Sequence, residues 1–122
     1  MRTLKGLDDW IDLSVVHWHM GDQGWTFEPG DGVIPDPIHH ARYAHEIYRA
    51  AAPDYSGRVT IPILWDKQTA TIVSNESSEI IRMFNSAFDE LGATPGDYYP
   101  AALRDEIDEV NARVYDTVNN GV

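Results

Sequence analysis

Two short stretches carry most of the chemistry in this sequence. One is the dipeptide Ile61-Pro62, inside a run that otherwise reads as a strand; the other is Ser74-Asn75-Glu76-Ser77, which opens a helix about a dozen residues later. Proline inside a strand removes a ladder donor, so Pro62 predicts a structural device: an edge, a bulge or a cis bend. A cis bond there would expose the backbone N–H and C=O of Ile61 to an extended peptide, which could pair with them as an added strand. The first turn of the following helix offers unpaired N–H groups and a positive dipole end to a carboxylate, while Glu76 can accept from an ammonium. Together the two stretches would hold a small peptide by one amino-acid-like end. Read alone, Ser74 to Ser77 is an ordinary helix cap.

Other reactive side chains combine less well. Among five histidines, His39-His40 and His45-Glu46 lie close in sequence. However, a spacing of five sets His40 and His45 about 140° apart on a helix, and neither a cysteine nor an aspartate cluster completes a ligand set. The expectation is therefore no metal. Asp and Glu are too evenly scattered to single out an acid–base pair. The sequence holds no cysteine, which excludes a disulfide, a thiolate zinc site and a cysteine nucleophile from these 122 residues.

The elements that would position these groups follow from periodicity. Met1 to Gly6 reads as the last turn of a helix, with Lys5 as its basic end and Gly6 as its stop. Ile11, Leu13 and Val15 alternate with Asp12 and Ser14, predicting a strand to about Trp18. Gly21 to Pro37, with four Gly and three Pro, predicts an irregular loop in which Trp25 and Phe27 are core anchors or a ligand surface. A helix follows over Ile38 to Ala51, then a hairpin of Arg58 to Asp66 and Ala70 to Ser74. Ile80, Ile81, Phe84, Phe88 and Leu91 stripe a helix ended by Gly92. A Pro/Gly linker leads to a last helix striped by Leu103, Ile107, Val110, Val114 and Val118.

Nine basic against 20 acidic side chains give a net charge of -11, the opposite of the basic surface that binds phosphate backbones, so no nucleic-acid partner is expected. Seven of the nine basic residues are Arg, and Asp outnumbers Glu thirteen to seven, a balance that either salt adaptation or an ordinary acidic surface would produce. No apolar run approaches the ~20 residues of a membrane span, and the expectation is a soluble, cytoplasmic chain without a membrane partner.

The longer blocks resemble one family closely. Lys5-Gly6-Leu7, Ser14-Val15-Val16-His17, Gly24-Trp25-Thr26-Phe27, the run Tyr55 to Lys67 and the run Thr71 to Asn85 are similar to the Xi-class glutathione transferases, the glutathionyl-hydroquinone reductases. The resemblance implies an α/β fold, an incomplete thioredoxin-like glutathione-binding domain over residues 1–92. It further implies a linker and the first helix of an all-helical domain over 93–122. By resemblance, Ile61 pairs its backbone with the cysteinyl part of glutathione, Glu76 and Ser77 hold its γ-glutamyl end, and Trp25 and Arg58 make further contacts. Glutathione would be the co-substrate, a small thiol peptide, and the parent enzyme a homodimer. The class attacks glutathionyl-hydroquinones with the cysteine of a Cys-Pro-Trp-Ala motif, which these residues lack. They then read as an internal piece of a longer enzyme, without its first strand and most of its first helix, and inactive alone. The alternative is a non-catalytic glutathione- or peptide-binding module.

Overall fold

In the computed structural model, which describes residues 1–121, the chain forms two compact units: Asp8–Ile80, and Met1–Leu7 together with the chain from Ile81 onward. This partition by contact within the chain differs from the 1–92 and 93–122 division drawn by resemblance, which concerns the domains of a parent protein.

In the first unit, α1 is Ala44–Ala51, β1 is Leu64–Asp66 and β2 is Thr71–Ser74. The helix starts later than its periodicity predicts. Asp36 is 5% exposed and draws the amides of Ile38, His39 and Ala41 onto its carboxylate, and His40 turns left-handed at φ 53°. Backbone spent on that Asx-type turn cannot enter a helix. The Glu46 carboxylate then accepts from Tyr43 N–H at 3.1 Å and sets the helix start. Ala44, Ile47 and Tyr48 bury the inner face of α1, which packs against β2.

β1 and β2 pair antiparallel, Trp65 opposite Ile72 and Asp66 opposite Thr71, with a register shift between Leu64 and Trp65. The first hairpin strand is shorter than Arg58 to Asp66. The Ile61–Pro62 bond is cis, one of the three devices that a proline inside a strand allows, and ladder pairing begins only beyond it. Ile11 to His17 does not form the expected strand. It contributes the isolated bridge Val15–Ile34, with His17 N–H bonded to Thr26 O at 2.7 Å. Its neighbours come from the Gly/Pro-rich loop, which supplies single bridging pairs rather than a ladder.

α2, Ser77–Ser86, crosses from the first unit into the second. A short 3-10 turn, Asp89–Leu91, follows and ends at Gly92 in the left-handed region. In the second unit Met1 to Gly6 is a single helical turn, closed by Lys5 N–H to Met1 O at 3.0 Å and ended by Gly6 at φ 64°. Lys5 does not face a helix end. It is fully buried, its ammonium 2.8 Å from both Asp89 Oδ1 and Gly96 O. A 3-10 turn, Ala101–Leu103, leads into α3, Arg104–Val114, which continues as a π turn, Tyr115–Asn119. The apolar stripe of that helix is present, yet Leu103, Val110, Val114 and Val118 are exposed.

Candidate functional site

The hairpin and the start of α2 meet around one phenol. Tyr48, on the buried face of α1 and 4% exposed, donates its hydroxyl proton to Thr60 O at 2.8 Å. The same oxygen accepts from Thr60 N–H at 3.3 Å and from Asn75 Nδ2 at 3.0 Å. Asn75 Nδ2 also reaches Thr60 Oγ1 at 3.1 Å. The residue before Ile61 is thus bonded to the residue before Glu76. Asn75 turns back to the hairpin instead of capping α2.

Ser74, buried at the end of β2, accepts from Glu76 N–H at 3.1 Å and donates to Glu79 Oε2 at 2.8 Å. Ser77, Ser78 and Glu79 follow as the first helical turn, whose N–H groups have no carbonyl four residues back within the helix. Glu76 and Ser77 are both exposed. Ile61 is 38% exposed, and among the described residues its N–H and C=O make no hydrogen bond. An open backbone edge at Ile61 and a helix start at Glu76-Ser77 therefore stand on two segments joined through Tyr48. Such an arrangement suits an extended peptide, which can pair with the first through its backbone and place a carboxylate at the second.

Trp25 and Arg58 lie in the same unit but are held by other bonds. Trp25 is half-buried, and its C=O accepts from Ala44 N–H at 2.9 Å, which ties the loop to the start of α1. Arg58 is exposed, and its C=O accepts from the Tyr55 hydroxyl at 2.6 Å. Hydrogen bonds among the described residues link Ile61's and Glu76's neighbours to each other and neither of them to Trp25 or Arg58. His39 and His45 pack on aromatic rings: His39 lies edge-on to Trp65 with ring centroids 4.5 Å apart, and His45 stacks on Tyr43 at 5.3 Å. Burial raises the Asp36 carboxyl's pKa, but the amides of Ile38, Ala41 and His39 outweigh it and hold the group below the usual carboxylate range. Among the described residues no group of three or more His, Asp or Glu is placed to hold a metal ion. No helix there is long and apolar enough to cross a membrane.

Tyr48, Thr60 and Asn75 were not legible as site residues. Tyr48 falls on the apolar stripe of α1 and reads as core. The available signal was that a buried tyrosine hydroxyl needs a partner.

A hairpin with a cis-proline followed by a helix is the order of elements in the thioredoxin-like class of domains. The family of the glutathione S-transferase N-terminal domain matches residues 1–87, and the chain belongs to it. It is similar to a glutathionyl-hydroquinone reductase of Sphingobium chlorophenolicum, 63% identical over all 122 residues of this chain and 39% of that protein. A glutathionyl-hydroquinone reductase of Escherichia coli is 57% identical, over 100% of this chain and 38% of its own length. The glutathione-bound structure of that Escherichia coli transferase homologue superposes with a TM-score of 0.94 at 56% identity, covering 98% of this chain and 39% of the other. The Xi-class transferase of Trametes versicolor gives a TM-score of 0.91 at 52% identity, over 98% and 43%. The chain therefore spans about two-fifths of the length of the relatives it matches.

Proposed function

We propose that these residues form the glutathione-binding part of a glutathione-dependent reductase acting on glutathionyl-hydroquinones. In that reaction a thiolate attacks the sulfur of the adduct. The ring C–S bond breaks, an S–S bond to glutathione forms, and the ring carbon takes a proton. The sequence has no cysteine, so the nucleophile belongs to a part of the parent protein outside these 122 residues. This chain's task is to hold the glutathionyl group. The Ile61 backbone pairs with the cysteinyl unit, Glu76 and Ser77 hold the γ-glutamyl end, Trp25 packs on the peptide and Arg58 reaches an anionic group. A cytoplasmic, homodimeric parent with its helical domain beginning near residue 93 belongs to the same reading.

The observation that carries it is the free Ile61 backbone on a segment bonded, through Tyr48 and Asn75, to the start of α2. The absence of cysteine equally favours a second reading, a non-catalytic glutathione- or peptide-binding module. The test is binding of S-methylglutathione to the 122-residue chain, followed by tryptophan fluorescence and calorimetry. Binding is expected, and Glu76→Gln should weaken it about tenfold, the worth of one charge-assisted hydrogen bond. Equal affinity for the two proteins overturns the assignment of Glu76. Turnover of a glutathionyl-hydroquinone by the chain alone overturns the division of labour.

A further inference from the structure

The Tyr48 oxygen has one proton to give and two lone pairs, and all three are used: Thr60 O takes the proton, and Asn75 Nδ2 and Thr60 N–H donate back. Its ring is buried in α1 and packs on Tyr55 with centroids 4.9 Å apart, so the oxygen is presented by a rigid element. Both backbone groups of Thr60 are thereby spent on Tyr48, which leaves those of Ile61 as the next ones free on that segment. Asn75 fixes the other segment one residue before Glu76, and Ser74 fixes the Glu76 amide.

We propose that Tyr48 is a positioning residue of the peptide site. Its hydroxyl, with Thr60 and Asn75, sets the spacing between the Ile61 backbone and the Glu76-Ser77 helix start, so that a ligand gripped at both places binds as a chelate. The inference rests on the glutathione-binding reading and deepens it, since it makes the site selective for a peptide long enough to span both segments. A ligand held only at Glu76-Ser77 gains nothing from the spacing. A two-ended ligand binds tightly only if the two grips stay in register, because the ordering is done before it arrives.

The test compares reduced glutathione with γ-glutamylmethylamide, which carries the γ-glutamyl end alone, on the unmodified chain and on Tyr48→Phe and Asn75→Ala. Titrations are read at the Ser77 amide by NMR under conditions where each protein is folded. Both variants should bind glutathione about tenfold more weakly and γ-glutamylmethylamide within about twofold of the unmodified chain. If Tyr48→Phe does not fold, Asn75→Ala gives the same comparison. A merely structural role would weaken both ligands alike, and that result, or unaltered glutathione affinity, overturns the inference. Glutathione that fails to bind the unmodified chain overturns the functional assignment instead.

Discussion

Lys5→Met is the most informative single substitution for the second unit. The Lys5 side chain is 1% exposed, while its partner Asp89 is 52% exposed. Methionine keeps the apolar stem and deletes the ammonium, so the packing of the buried stem is largely retained. Two bonds are lost, each 2.8 Å long, to Asp89 Oδ1 and to Gly96 O. Removing one partner of a fully buried ion pair costs about 3–5 kcal/mol, but Asp89 can be rehydrated, so its share falls to the ~1 kcal/mol of a surface pair. The Gly96 carbonyl loses its donor and adds about 1 kcal/mol. The expected loss is roughly 2 kcal/mol, a large part of the stability of a chain this size. Urea denaturation followed by circular dichroism, with Asp89→Asn and the double variant completing a cycle, measures it. A loss for Lys5→Met below about 0.5 kcal/mol, or a coupling to Asp89 that accounts for all of it, would refute the reasoning.

Three further outcomes follow from local geometry. Asp36 has a native pKa below its unfolded value near 3.9, so its stabilisation is complete above that range and is lost as pH falls through the lowered native value. Asp36→Asn should cost about 1–2 kcal/mol at pH 7 and flatten the acid limb of an unfolding-versus-pH curve. Gly6 stands at φ 64°, and a Cβ there would lie 2.5 Å from Thr94 Oγ1, so Gly6→Ala should destabilise by about 1–2 kcal/mol in the same urea assay. Ala70, at φ 51° in the hairpin turn, offers the reverse case: Ala70→Gly should leave stability unchanged or raise it by up to about 1 kcal/mol.

The hairpin, the proline bend and the α2 start were legible because proline, the change of periodicity and the Ser-rich cap are local signals. Local signals also placed the left-handed stops at Gly6 and Gly92. What the sequence hid is long-range. Nothing near Lys5 announces that its ammonium will be met by Asp89 and Gly96, and nothing near Tyr48 announces Thr60 or Asn75. The Ile11–His17 alternation marks β propensity, but a strand also needs a neighbour that runs alongside it, and the Val15–Ile34 bridge and the His17–Thr26 bond are single pairings rather than a ladder. The late start of α1 shows the same limit from the other side, because the helical stripe cannot reveal that Asp36 will take the amides of Ile38, His39 and Ala41.

The central claim is that glutathione is held between the Ile61 backbone and the start of α2. Titration of the 15N-labelled chain with reduced glutathione, watched at every backbone amide and tryptophan indole, tests it most directly. The account predicts saturable shifts at Ile61, Glu76 and Ser77, with Trp25 and Arg58 following the same isotherm. Shifts confined to the cleft lined by Arg82, Tyr99 and Arg104, or no shift at millimolar glutathione, would contradict it.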